Sequence, residues 1–324
     1  MAGYDDWGWD DLDEGYESPA QQRIAELLEG LTDQQRDAVE HRGSPVVILA
    51  GAGTGKTTAL TSRIAHIIAS GDATPEEILA VTFTNKAAKE LQTRLKKKLD
   101  DDLAGMTVGT FHSICAKMLR DHYDLFGVKQ DYVIMDSDDQ KRLIRRIGKS
   151  IYGKNVDKEL LEAALDFIEN VRGNPLEKKQ LLQNADQAIY NIYAQYEKIK
   201  NEDGVLDFTD LICIVTEAFY NGIVDPDIFA SKWKHILVDE YQDTNGLQFA
   251  WLQQIGHNNP NIAVVGDDDQ VLYSWRGARI ENILEFPDQF DNVKVIRLEQ
   301  NFRSTGHILD VANAVIDKNE KRLG

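Results

Sequence analysis

The sequence predicts an α/β fold, a parallel sheet with its ligands at the strand C-terminal ends, interrupted by an all-helical insertion domain. Three observations carry this. Short β-branched runs ("PVVILA", "EEILAVTF", "HILVDE", "NIAVVGD") alternate with segments of helical period. The first run ends in a Gly-rich loop, "GAGTGKTT", that opens directly into a helix. Residues 113–206, by contrast, hold amphipathic helical stretches and little strand signal.

Taken in order, residues 1–17 ("MAGYDDWGWDDLDEGYE") carry seven acids and no base and read as a disordered acidic tail. Pro19 to His41 follows a helical pattern, with Thr32 as an N-cap ahead of the apolar positions of "LTDQQRDAVEH". Strand, loop and helix follow through "ALTSRIAHIIASG", stopped at Gly71, and "EEILAVTF" to "TNKAAKELQTRLKKKL" repeats strand then helix. The insertion comprises "SDDQKRLIRRIGKSIY", "DKELLEAALDFIENVRG" and "ADQAIYNIYAQYEKIK". The expected division is therefore an α/β domain over 18–112 and 207–303, the helical insertion over 113–206, and a closing helix over 304–324.

Composition sets bounds on the function. Of the 324 residues, 42% are hydrophobic and 28% charged, the balance of a globular protein. No run of eighteen apolar residues and no signal-peptide pattern occurs, so the expectation is a cytoplasmic protein without a membrane partner. Cys115 and Cys213 lack ligand spacing and fit reduced, buried thiols, with no structural metal. The net charge of −18 weighs against nucleic acid, but part of it lies in the tail, and bases cluster at Lys96–Lys98 and at Lys141, Arg142, Arg145 and Arg146.

The loop from Ala50 to Thr57 fits a P-loop with Ala50 at the usual first glycine. Gly51, Ala52, Gly53, Thr54 and Gly55 fold the backbone into a nest of N–H groups, the helix from Lys56 points its positive end there, and Lys56 adds a charge for outer phosphates. Thr57 is suited to a magnesium ligand. Asp239, ending "ILVD", is suited to the same metal shell, and Glu240 to polarising a water that attacks the γ-phosphate. Gln270, after "VVGDDD", stands at the next strand end, where it is placed to sense that phosphate.

The ordered segments "LTDQQRDAV", "AGAGTGKTT", "AVTFTNKAAKEL", "GTFHS", "LDFTDL", "VDEYQDTN", "VVGDDDQVLYSWRGA" and "LEQNFRS" resemble the motif series of superfamily 1 DNA helicases of the UvrD, PcrA and Rep type. The resemblance spans residues 31–304. It implies a RecA-like P-loop NTPase domain with a helical insertion, ATP and Mg2+ as cofactors, single-stranded DNA and duplex junctions as partners, and movement 3′ to 5′. Repair or replication proteins are the further partners it implies. Gln35 resembles the residue that reads adenine, Phe302 stands where a Tyr usually stacks on it, and Arg303 resembles an arginine reaching the γ-phosphate. Thr58 follows Thr57 where relatives often carry Arg, and Asp268 and Val271 are further departures. Phe83, Asn85, Thr110, His112, Tyr273, Trp275 and Arg276 resemble single-strand contacts. By residue type alone, Tyr273 and Trp275 read as core aromatics, and the resemblance reverses that. For Phe83 and His112 the packed and strand-contacting readings weigh equally.

Relatives of this type continue into a second RecA-like domain with a further arginine. The 324 residues by themselves are therefore expected to bind nucleotide and strand weakly, with little turnover and no unwinding. Two alternatives stay open on sequence: a nucleotide-switched binding module, and the motor segment of a RecB-type helicase-nuclease.

Overall fold

The computed structural model describes residues 18–100, 103–267, 269–270 and 278–316. Two capped helices lead in, α1 (Pro19–Leu28) and α2 (Asp33–Glu40). Thr32 caps α2 as expected, its hydroxyl accepting from the Gln35 N–H while the Gln35 side chain returns to the Thr32 N–H. Then come β1 (Val46–Ala50), α3 (Lys56–Ala69), β2 (Ile78–Thr82), α4 (Asn85–Lys98), β3 (Thr107–Thr110) and α5 (Phe111–Asp121). The middle of the chain is β4 (Val133–Ile134), α6 (Ser137–Tyr152), α7 (Lys158–Gly173), α8 (Lys178–Gln183), α9 (Gln187–Asp203) and β5 (Val205–Leu206). The last part runs α10 (Asp210–Tyr220), α11 (Asp227–Ala230), β6 (His235–Val238), α12 (Gly246–Gly256), β7 (Ile262–Gly266), α13 (Glu281–Leu284), α14 (Phe286–Gln289), β8 (Lys294–Leu298) and α15 (Gly306–Ile316).

Six strands form one parallel sheet in the order β3-β2-β6-β7-β1-β8. Successive side chains of each strand enter opposite layers, because the strand period is two. Val47, Leu49, Leu79, Val81, Ile236, Val238 and Val264 pack with α5, α10 and α12. Val46, Ile48, Ile78, Ala80, Leu237 and Val265 pack with α3 and α4 on the other side. Burial on both faces explains why these strands read as continuous apolar runs.

Two sheet strands lay outside the sequence expectation. β3 ("TVGT") is four residues with a central glycine, and β8 ("KVIRL") is an edge strand whose Lys294 and Arg297 break the apolar run. β4 and β5 pair in parallel as a separate two-stranded sheet within the segment expected to be all helical. α5 carries Phe111, Ile114, Cys115, Met118 and Leu119 into the sheet-side core, although most of it lies within the expected insertion, which began at residue 113. The separate helical core starts at Met135 and joins α6, α7 and α9 through Ile144, Ile147, Ile168, Val171, Ile192 and Tyr196. Among the described residues no helix is long and apolar enough to cross a membrane. The acidic tail lies outside them.

Candidate functional site

In a parallel sheet every strand delivers its chain to the same edge, which is where ligands of open α/β sheets bind. Each of the six strands delivers sequence-predicted site residues there. β1 runs into the loop 51–55, β8 into Asn301–Arg303, β6 into Asp239 and Glu240, β7 into Asp267, Asp269 and Gln270, β2 into Phe83 and Asn85, and β3 into Thr110 and His112. The strand order places the loop after β1 at one end of this rim and the aromatic residues after β2 and β3 at the other, with the acids between.

The loop is built around two left-handed glycines, Gly53 at φ +84° and Gly55 at φ +89°. Thr54 closes it, its hydroxyl donating to the Gly51 carbonyl at 2.9 Å. Gly55 is the N-cap of α3 and brings no side chain to cap it, so the first N–H groups of that helix stay available to an anion. The neighbours press close. Gln35 is buried and spends its amide on the chain: Nε2 donates to the Thr54 carbonyl at 3.0 Å and Oε1 accepts from the Thr32 N–H at 3.1 Å. One N–H of Nε2 and one lone pair of Oε1 are thus committed to the chain, and each atom keeps a second site. From the far side the Phe302 N–H donates to the Gly53 carbonyl at 2.8 Å, and Asn301 Nδ2 donates to the Ala52 carbonyl at 2.6 Å. Asn301 Oδ1 in turn accepts from the Arg303 and Ser304 N–H groups. The Phe302 ring is 58% exposed beside the loop, open for stacking, and Arg303 is exposed next to it. Thr57 is partly buried on the first turn of α3, and Thr58 is exposed.

A β-carbon at Gly53 would stand 2.6 Å from Arg303 Cβ, and one at Gly55 2.5 Å from Gln35 Nε2. Gly53→Ala combines this collision with a left-handed φ, a strain of about 1–3 kcal/mol. Loop closure against Asn301 suffers, and nucleotide affinity is expected to fall at least about tenfold. Titration with a fluorescent ATP analogue checks this, with the melting temperature as a control.

Lys56 Nζ forms a 3.0 Å ion pair with Glu240 Oε2. The same oxygen accepts from Gln242 Nε2 at 2.8 Å, the Gln242 Oε1 accepts from the Asp267 N–H at 3.1 Å, and Asp267 Oδ2 accepts from Gln270 Nε2 at 2.6 Å. A continuous hydrogen-bonded chain thus links the P-loop lysine to Gln270 across three strand ends. Gln242 was not singled out by sequence reasoning. Its signal is the close approach at Gly266, where a β-carbon would stand 2.7 Å from Gln242 Oε1. Glu240 has φ +50°, a left-handed conformation costly for a residue with a side chain and typical of functional strain. Burial and the adjacent Glu240 carboxylate push Asp239 up to about 6, with Lys56 pulling the other way. Two neighbouring acids at a half-buried strand end, with Lys56 paired to Glu240, are of a chemistry that fits a cation.

At the other end of the rim β2 and β3 are in register, Thr82 opposite Thr110. Asn85 is exposed at the start of α4, and Phe83 is partly buried. Thr110 is buried and occupied as the cap of α5, in a reciprocal pair with Ser113. The His112 ring lies flat on the Phe208 ring, centroids 4.0 Å apart and planes 21° apart. Burial lowers His112 to about 4, so its ring is neutral at physiological pH. Phe208 keeps 58% exposure in spite of this contact. It too was missed, and the available signal is an aromatic set between Asp207 and Asp210 in "LDFTDL". Tyr273, Trp275 and Arg276, with Asp268 and Val271, lie outside the described residues. The chain re-enters at Ala278, bridged to Asn245, with the Arg279 N–H donating to the Thr244 carbonyl at 3.1 Å.

The family model for the UvrD/REP helicase N-terminal domain matches residues 31–291. The chain is 38% identical over 306 residues to DNA helicase II of Escherichia coli (strain K12), covering 93% of this chain and 42% of that protein. It is 41% identical over 310 residues to DNA helicase II of Haemophilus influenzae, with the same coverages. With ATP-dependent DNA helicase PcrA of Staphylococcus epidermidis it shares 37% identity over 299 residues, 91% of this chain and 41% of that one. The chain thus spans about two fifths of the length of these relatives.

Proposed function

Because the chain belongs to the UvrD/REP helicase N-terminal domain family, we propose that it is the ATP-binding and single-strand-binding part of an ATP-dependent 3′–5′ DNA helicase. The observation that supports this best is the shared rim: a P-loop, two acids and a glutamine joined by hydrogen bonds, with the paired His112 and Phe208 rings beyond them. The relatives above carry names of DNA helicases, not of switch modules or helicase-nucleases.

In this reading the N–H groups of residues 51–57 and the open end of α3 take the phosphates of ATP, and Lys56 exchanges Glu240 for the outer ones. Phe302 stacks on adenine beside Gln35, and Arg303 faces the γ-phosphate. Thr57 and Asp239 would hold Mg2+, which supplies positive charge to the phosphates when bound. Glu240, released from Lys56, orients the attacking water and accepts its proton. Gln270, at the end of the hydrogen-bonded chain, registers the change and adjoins the segment bearing Tyr273, Trp275 and Arg276. Phe83, Asn85, Thr110 and His112, now with Phe208, form the strand side. Aromatic stacking suits a motor that must pass every base, since each has a π-face worth about 1–3 kcal/mol. Slow as it is expected to be in these 324 residues alone, ATP hydrolysis should rise when single-stranded DNA is added; a rate indifferent to DNA counts against the proposal.

The metal assignment makes a pH prediction. Folded, Asp239 holds its proton to about pH 6, whereas its ordinary value is 3.8. Its contribution to stability is therefore full below pH 3.8 and is lost as pH rises through 6. A cation bound to the ionised form restores what is lost. Millimolar Mg2+ is expected to raise the melting temperature at about pH 7.5 and to have little effect at about pH 5. Asp239→Asn should erase the difference; a Mg2+ effect that survives this change would place the metal elsewhere.

A further inference from the structure

We infer that Lys200 and Arg172, both from the helical insertion, are positioning residues for the strand side of the rim: they lock the turn 207–210 that lays Phe208 against His112. This rests on the reading of Phe208 and His112 as strand contacts. The turn closes on itself, the Asp207 N–H donating to Asp210 Oδ2 at 2.7 Å and the Asp210 N–H to Asp207 Oδ1 at 2.9 Å. Phe208 sits inside that reciprocal pair, so its backbone follows the two carboxylates.

Both carboxylates are held from the insertion. Lys200 Nζ, on α9, donates to Asp207 Oδ2 at 2.8 Å and also to Asp210 Oδ2. Arg172, on α7, pairs through Nη1 with Asp210 Oδ1 and places Nε 3.5 Å from Asp207 Oδ2, while Nη2 pairs with Glu197. The Tyr196 hydroxyl donates to Asp207 Oδ2 at 2.9 Å. Lys200, Asp207 and Asp210 are 2–3% exposed and Arg172 is 7% exposed. Burying four charges is a poor route to stability compared with apolar packing of the same volume. What the network does provide is directional: two cations on separate helices fix two anions that bracket one exposed ring. The insertion thereby sets where that ring stands, although its own apolar core is separate from those of the sheet.

The test reads the ring pair directly. The chain has seven histidines, so its histidine proton spectrum is tractable, and a parallel Phe208 ring at 4.0 Å shields the His112 ring protons. Phe208→Ala defines the unshielded position. Lys200→Met is expected to move the His112 signal most of the way there in folded protein, and to weaken binding of a dT oligonucleotide about tenfold. Affinity for a fluorescent ATP analogue should stay unchanged. If folded Lys200→Met keeps the parent His112 signal, the positioning role is overturned. Should Lys200→Met not fold, Tyr196→Phe removes one hydrogen bond from Asp207, and a smaller displacement of the same sign is expected; none at all would overturn the inference equally. If instead Phe208→Ala leaves strand affinity untouched, the strand reading of this face fails, while the His112 signal still decides whether Lys200 positions the ring.

Discussion

Glu240→Gln is expected to reduce DNA-stimulated ATP hydrolysis by about 10²- to 10⁴-fold, the usual contribution of a positioned general base. ATP binding should persist or tighten. In the structure Lys56 is engaged by Glu240 at 3.0 Å, and the amide that replaces the carboxylate releases this cation to the phosphates at less cost. The Gln242 hydrogen bond to position 240 survives, because an amide oxygen still accepts. Loss of hydrolysis with retained binding separates this role from that of Lys56, whose removal costs binding itself. Single-turnover hydrolysis beside analogue titration measures both. Equal turnover in the variant and the parent would remove Glu240 from the chemistry.

Arg172→Leu is expected to destabilise the chain by about 3–5 kcal/mol, since removing one partner leaves buried charge uncompensated. Asp207, Asp210 and Glu197 all face this guanidinium, and Lys200 alone cannot balance them. Burial works against the Arg172 charge, but the surrounding carboxylates hold the group well above the usual arginine range; burial works against the Asp207 charge too, but Arg172 and Lys200 hold that carboxyl below the usual carboxylate range. Urea denaturation followed by circular dichroism reads the loss, and a change under about 1 kcal/mol would mean that the network is loosely solvated. Hydrogen exchange should show α7 and α9 opening before the sheet, because their apolar core is separate from it.

The loop 51–55 and the acid-ended β6 and β7 were legible because each is local: a β-branched run and the residues directly after it. The cap at Thr32 was legible for the same reason, its partner being three residues away. β3 and β8 were not, since a four-residue strand with a glycine and an edge strand interrupted by Lys294 and Arg297 carry no long apolar run; they exist because β2 and β1 template them. Asn301, Gln242 and Phe208 escaped for a related reason. Asn301 reaches Ala52 across 249 residues, and Phe208 meets His112 only because β3 and the turn before α10 converge. Such contacts follow from the order of strands in the sheet, which no window of sequence contains.

The central claim is that one rim carries both a nucleotide site and a strand site. Equilibrium titration of this 324-residue chain with a fluorescent non-hydrolysable ATP analogue, and separately with a labelled dT oligonucleotide, tests it most directly. Both are expected to bind. Lys56→Ala should abolish the first and spare the second, Phe208→Ala should weaken the second and spare the first, and each ligand should shift the other's affinity by the same factor. A folded chain whose analogue affinity is the same with and without Lys56, or whose oligonucleotide affinity is indifferent to Phe208, would contradict the account.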